Sequence, residues 1–369
     1  MYRFLLSCYY FLGVFLKKRS YDVIFYYPQY FNRGKNGENY FFKHYYHACI
    51  KEKITFVTFE EPYAGSLRNR DTIPFDFAFY LIVFLRKVFQ NKDQITKDRR
   101  IGRFLSYTLF KNIEFKNFIV LSQSMISVFA GMQPQSRIFD NQHGIIYPSK
   151  TSYFNGSKVA KQLVFNNVHI LVFGRRFREI LIKKDTSCFM DANSHIIGFE
   201  SSLGNIKHTN CNNCILVTLQ FTHDHSFDEN LLLLKELYDF ISSVSSCFTF
   251  YLKHHPRYNN EIDISKILKL SNVRLAPNDL SECFNLCSLH ATAYSSSTFE
   301  ASLLGIPTIL IPSQIKINFF KTDFVYPLDY VIDDFLDKDI YHSASIMVKR
   351  WAREYYSKYN SSTFIKLLK

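Results

Sequence analysis

Two short stretches in the C-terminal half of the sequence carry its densest chemistry. Lys253-His254-His255-Pro256-Arg257 follows an apolar run that reads as a strand, and Tyr294-Ser295-Ser296-Ser297-Thr298-Phe299-Glu300 opens a stretch that reads as a helix. Hydroxyls and unpaired backbone N–H groups at a helix N-terminus, at the positive end of its dipole, suit a phosphate. His255 beside them would donate to the same anion, and Pro256 fixes the turn that presents it. Glu300 falls in the first helical turn, where a carboxylate holds ribose hydroxyls. With Lys253, Arg257 and Gln220 near strand ends, Ser295, Ser296, Ser297 and Thr298 make up a candidate donor-nucleotide site. The bland alternative makes Ser295 an N-cap and His255 a surface side chain. Both stretches falling at strand ends favours the nucleotide site.

The second constellation is Asp140-Asn141-Gln142-His143-Gly144, followed by Lys150. A histidine on a loop after a buried strand, beside a glycine that admits a close backbone, is a candidate general base for a sugar hydroxyl. Its ordinary pKa near 6.5 suits that work at neutral pH. Asp140, Glu60 and Glu61 are rival bases that the residues alone leave open. His223-Asp224-His225 has metal-ligand chemistry, but it reads as a polar loop and no metal is expected. P-loop and Gly-x-Ser-x-Gly patterns do not occur, which removes support for NTPase and serine-hydrolase readings.

The His255-Pro256 element followed by Ser296, Ser297 and Thr298 resembles the nucleotide-binding elements of bacterial glycosyltransferases of GT-B architecture, sialyltransferases and capsule-polymer transferases among them. Ser297-Thr298-Phe299-Glu300-Ala301 through Gly305-Ile306-Pro307-Thr308 resembles the general GT-B donor signature, which implies a ribose contact for Glu300. The Gln142-His143-Gly144 segment is similar to the Trp-His-Gly segment of teichoic-acid glycerophosphotransferases, whose histidine is the proposed base. Here Gln142 stands in place of the tryptophan.

Such residues work only where a scaffold converges them. Short buried runs at 22–27, 54–59, 117–121, 136–140, 168–173 and 195–198 alternate with helical or polar stretches. A second series follows at 215–219, 248–252, 273–275, 289–292 and 308–311. Repeated βα units with short buried strands predict parallel, doubly wound sheets. The expected fold is α/β, with two Rossmann-like domains of GT-B type and an interdomain cleft at the strand ends, where ligands of such sheets bind. The expected boundaries are an N-terminal acceptor domain over 1–200, a linker over 201–213 and a nucleotide-donor domain over 214–345. A C-terminal helix over 346–369 would pack back on the first domain.

The chain has 369 residues, a net charge of +13, and 38 Phe and 25 Tyr beside one Trp. A coding bias towards A and T accounts for the aromatics as well as any function does. The basic balance implies an anionic partner. The charges sit in short groups beside apolar aromatic stretches, as in Lys17-Lys18-Arg19 and Arg86 to Arg103, and nucleic-acid reader motifs are absent. A membrane surface and a phosphorylated substrate are therefore preferred, and nucleic acid is not expected. Residues 2–16 are apolar but short for a span of about 20 residues, so an interfacial or buried helix is expected. The eight cysteines lack a metal or disulfide framework and read as free thiols.

The sequence thus predicts a cytoplasmic enzyme, peripheral on the inner face of the membrane. It would move a sugar from a nucleotide sugar to a glycan or lipid-linked glycan acceptor, with no cofactor or metal. Alternatives are a CDP-polyol phosphotransferase, a sugar-nucleotide epimerase, and a non-catalytic partner in polysaccharide assembly.

Overall fold

The structure, a computed structural model, describes residues 2–32, 37–63, 67–90, 93–200, 212–258 and 260–369. All but the last two residues of the expected 201–213 linker lie outside them. The chain divides into two compact units: Met1–Glu200 with Ser357–Lys369, and Ser201–Tyr356.

Unit 1 is built on a seven-stranded sheet. Its strands are β1 (Arg19–Pro28), β2 (Phe56–Glu61), β3 (Ile73–Pro74), β4 (Ile113–Leu121), β5 (Arg137–Asn141), β6 (Val168–Val172) and β7 (Ser194–Ile196). They run in the order β3-β2-β1-β4-β5-β6-β7, and every pairing is parallel. The central strand β1 shows why the run at 22–27 is continuously apolar: both its faces are covered. Val23, Phe25 and Tyr27 enter one core with Phe42 and Tyr45 of the region around α2 (Lys43–Lys51). Tyr26 points the other way, with its ring 5.1 Å from Phe75 and 5.6 Å from Phe129. That second face carries α1 (Tyr2–Leu16), α3 (Asp76–Val88), α4 (Gln94–Tyr107) and α5 (Ile126–Met132). The abundant aromatics fill both layers; Phe118 and Phe129, for example, stack with centroids 3.9 Å apart. Burying each such ring is worth roughly 1.5–3 kcal/mol.

Unit 2 has five parallel strands: β8 (Cys214–Thr218), β9 (Thr249–Lys253), β10 (Val273–Leu275), β11 (Leu289–Thr292) and β12 (Thr308–Leu310). Their order, β10-β9-β8-β11-β12, reverses direction between β8 and β11. The helix α6 (Phe227–Ser243) starts with a full capping box between Ser226 and Glu229 and buries Leu233, Leu237 and Ile241. The helix α7 (Ser297–Leu304) covers β11 and packs on α8 (Lys338–Tyr355), where Phe299 stacks on Trp351 at 4.7 Å.

Residues 346–369 form two pieces rather than one helix. The α8 helix ends at Tyr355 inside unit 2, while α9 (Ser361–Leu368) belongs to unit 1. Phe364 stacks on Tyr45 at 4.3 Å, and the Leu368 carbonyl accepts from Asn117 and Arg137. Gly198 allows this return: its φ is +79°, and a Cβ there would collide with the Lys358 carbonyl. The amphipathic pattern continues across the break, which is why the sequence reads as one helix.

Candidate functional site

Both units gather their polar residues at the C-terminal ends of their strands. In unit 2 the reversal point between β8 and β11 is occupied by a buried hydroxyl network. The Ser297 hydroxyl meets Thr218 Oγ1 at 3.0 Å, His290 Nε2 at 3.2 Å and Ser295 Oγ at 2.8 Å. His290, fully buried on β11, also meets Thr218 Oγ1 and, through Nδ1, Thr308 Oγ1, both at 2.9 Å. Burial pushes its pKa down to about 3, so it is a neutral connector of hydroxyls. Thr292 Oγ1 donates to the Thr218 carbonyl and accepts from the Ser295 N–H, which fixes the turn before α7.

Ser297 and Thr298, two of the expected phosphate ligands, therefore face inward. Ser297 is spent on the network, and Thr298 is buried with its hydroxyl unpartnered. Ser296 faces outward. It is the N-cap of α7, makes no side-chain capping bond, and neither its hydroxyl nor its N–H finds a partner among the described residues. Glu300 is half-buried in the first turn, close enough to Tyr356 to raise that phenol's pKa further. His290 is the residue that sequence reasoning missed. A histidine inside a four-residue buried strand, flanked by hydroxyl residues, was the available signal.

Around this turn, Gln220 is half-buried and donates to its neighbour's carbonyl. Lys253 is half-buried at the end of β9 and makes no ion pair among the described residues. His255 Nδ1 accepts from the Arg257 N–H at 3.1 Å, closing the exposed turn that contains Pro256. The Arg257 guanidinium pairs with both oxygens of Asp224, in the open. His225 is engaged by the Tyr294 hydroxyl at 2.6 Å. The described residues contain no cluster of three His, Cys, Asp or Glu placed to hold a metal ion.

In unit 1 the His143 loop is held from below. Gln142, which is fully buried, accepts from the Phe173 N–H and donates to the Gly144 carbonyl, both at 2.8 Å. It thereby ties the ends of β5 and β6 together. Asn141 accepts from the Tyr45 hydroxyl. A Cβ on Gly144 would meet only Lys150 Nζ, at an ordinary 3.7 Å, so the protein's own packing does not require glycine there. His143 Nδ1 accepts from the Ser122 N–H at 3.4 Å, and a neutral ring that accepts there carries its proton on Nε2. Desolvation, then the nearby Lys150, push its pKa down to about 4. In this state its lone pair is engaged and weakly basic, so proton abstraction requires that the Ser122 bond be given up.

The rival carboxylates separate by environment. Glu60 is fully buried and structural: it pairs with Arg3 and accepts from Asn32, the Asn69 N–H, Tyr27 and Thr72. Glu61 is half-buried and accepts from Tyr26 and Ser124 at 2.7 and 2.5 Å, steadying the loop after β4. In that loop Ser122, Gln123 and Met125 all have φ near +60°, a costly conformation for residues other than glycine. Asp140 is fully buried and takes one bond, from Gln123 at 3.0 Å. Its Oδ1 and the neighbouring Tyr153 hydroxyl lie side by side without completing a hydrogen bond. Burial raises the Asp140 pKa to about 7.

No protein-family model and no curated protein matches the sequence. Solved structures do match over nearly the whole chain. A UDP-GlcNAc 2-epimerase from Methanocaldococcus jannaschii is 11% identical with a TM-score of 0.51, covering 95% of this chain and 99% of its own. The wall teichoic acid polymerase TagF is 12% identical with a TM-score of 0.51, covering 94% and 87%. MnaA of S. aureus, solved with UDP, is 11% identical with a TM-score of 0.52, covering 93% and 94%. At such identities the likeness shows the fold: α/β, with two Rossmann-like units of GT-B type.

Proposed function

We propose that the chain is a glycosyltransferase that takes a sugar from a nucleotide-linked donor and passes it to a glycan acceptor. The observation that carries this reading is Ser296. It offers an unpartnered hydroxyl and N–H at the start of α7, at the point where strand order reverses, on a turn locked by the buried Thr218–His290–Ser297 network. Ligands of such sheets bind at that reversal, and a preorganised donor pair beside a helix N-terminus stabilises a leaving phosphate. Lys253, His255 and Arg257 add positive charge or donors at the next strand end, and Glu300 is placed for a ribose. No cofactor is needed, because the donor is itself a substrate. On the acceptor side, His143 serves as the base once its Nδ1 leaves Ser122, with Glu61 and Asp140 as the other carboxylates in reach of the loop ends.

A second reading, transfer of polyol phosphate from a CDP-polyol, is favoured by the order of the His143-Gly144, His255-Pro256 and Ser295-Ser296 elements. One experiment separates the two. Thermal unfolding is followed with UDP, GDP, dTDP, CMP and CDP, for the native chain and for Ser296→Ala and His255→Ala. A ligand at a hundred times its Kd stabilises by about 2.7 kcal/mol. A shift with UDP, GDP, dTDP or CMP that both variants lose is the expected result. A response to CDP alone selects the polyol-phosphate reading, and no response to any nucleotide removes the donor site.

A further inference from the structure

The helix α1 has two apolar faces, and only one is covered. Ser7, Phe11 and Val14 are buried, with the Phe11 ring against Phe59, Phe75 and Phe110. Tyr2, Leu5, Tyr9, Leu12 and Leu16 recur at steps of three and four, which puts them on one stripe of the opposite side. They are exposed, Tyr9 to 79% and Leu16 to 85%. In a helix that merely lies on a water-soluble protein this stripe would be polar. Arg3 is the one charged residue of α1, and it is turned inward to Glu60 and Asp76.

The stripe continues onto α3. The Phe4 ring lies 5.9 Å from Phe77 and 6.5 Å from the exposed Tyr80, and Phe84 and Val88 follow Tyr80 at steps of four on α3. Beyond α3, Phe89 lies 6.1 Å from the exposed Phe104 of α4, near exposed Tyr107. The charge around these side chains has one sign. The acids of this region are neutralised: Asp76 by Arg3, Asp98 by Arg86, Asp93 by Lys161 and Glu114 by Lys18. Lys17, Lys87, Arg100, Arg103 and Lys111 are exposed and make no ion pair among the described residues.

We infer that this α1–α3–α4 face docks on an anionic lipid bilayer. Leucines and aromatics enter the headgroup boundary, and the unpaired lysines and arginines meet acidic headgroups. Among the described residues no helix is long and apolar enough to cross a membrane, so the contact is in-plane. A second protein copy covering the face would need acidic partners for these cations, and this face itself offers only neutralised ones. The inference stands apart from the donor site, since every residue it uses lies in unit 1 away from the strand ends.

The test is flotation of the full chain with vesicles of phosphatidylcholine alone and of phosphatidylcholine with phosphatidylglycerol in equal parts, across a salt series. The variants are Leu12→Gln with Leu16→Gln, and separately Lys87→Gln with Arg103→Gln. All four side chains are exposed, and an unchanged circular dichroism melt confirms folding. Binding to the anionic vesicles is expected, falling with salt, with a loss of roughly tenfold or more in the leucine variant. The charge variant is expected to lose several-fold and to show a flatter salt dependence. Absence of binding at low salt, or binding that neither variant weakens, overturns the inference. A native dimer that the leucine variant dissociates, without vesicle binding, assigns the face to a second copy instead.

Discussion

The strand ends of the two units solve the problem of buried polar groups in opposite ways. Unit 2 satisfies its hydroxyls through a neutral histidine, so that Thr218, His290, Ser297 and Ser295 hold one another and the turn carrying Ser296. Unit 1 leaves groups unfinished: Asp140 Oδ1 and the Tyr153 hydroxyl are orphaned, His143 is kept neutral, and the loop after β4 holds three residues at positive φ. A satisfied network is rigid and suits holding a ligand. Perturbed, unsatisfied titratable groups are where proton chemistry is carried out, at a cost in stability. The contrast matches a donor-holding role for unit 2 and an acceptor-activating role for unit 1.

The largest effect expected from breaking this contrast is at Glu60, the one strand-end carboxylate of unit 1 whose surroundings complete it. Glu60→Ala would strand Arg3, Asn32 and Thr72, and removing one partner of a buried ion pair costs about 3–5 kcal/mol. Urea unfolding followed by far-ultraviolet circular dichroism is expected to show that loss. A midpoint within error of the native chain would mean that Asp76 alone holds Arg3, and that Glu60 is free for chemistry after all.

Asp140 sharpens the comparison with a smaller effect that depends on pH. In the native state its carboxyl keeps its proton up to about pH 7, whereas in the unfolded chain it ionises near 3.9. Between these values the native state binds more protons, so Asp140 makes stability fall as pH rises from about 4 to 7. Asp140→Asn removes that slope. The variant is expected to gain on the order of 2 kcal/mol over the native chain at pH 8 and little at pH 4. The histidines run the other way. His44, His143 and His195 are held down to about 4 in the native state. Their unfolded forms take up protons below about 6.5, so stability is lost as pH falls from there. An equal gain for Asp140→Asn at both pH values would show that the carboxyl is not buried in its charged form.

Much of the fold was legible because parallel strands buried on both faces leave continuous apolar runs. Residues 273–275 and 289–292 are the observed strands without a shift in their ends. Amphipathic α4 was hidden by its basic side chains, which read as a charge run rather than as the outer face of a helix. The two-residue β3 is too short to leave a pattern. At the sites, residue types placed the right loops but not the side-chain directions. Nothing in Ser295-Ser296-Ser297-Thr298 says which hydroxyl faces out, because that depends on His290 and Thr218 from neighbouring strands. Glu60 and Glu61 look equivalent in sequence, yet strand alternation sends one into Arg3 and the other to the loop after β4.

That alternation gives the smallest and most specific test, within the serine run itself. Ser297→Ala removes one hydroxyl from a network in which Thr218, His290 and Ser295 each lose a partner. A net hydrogen bond is worth about 1 kcal/mol, and the orphaned partners keep the loss near that value or somewhat above it. Trp351, stacked on Phe299 of the same helix, is the one tryptophan of the chain, so its fluorescence reads the unfolding of unit 2 directly. Ser296→Ala touches no partner and is expected to leave that transition where it is, while weakening nucleotide binding. If both variants lower the transition equally, Ser296 is part of the scaffold and the ligand-facing turn has been assigned to the wrong serine. If neither does, the buried network contributes no rigidity, and the contrast between the two units loses its physical basis.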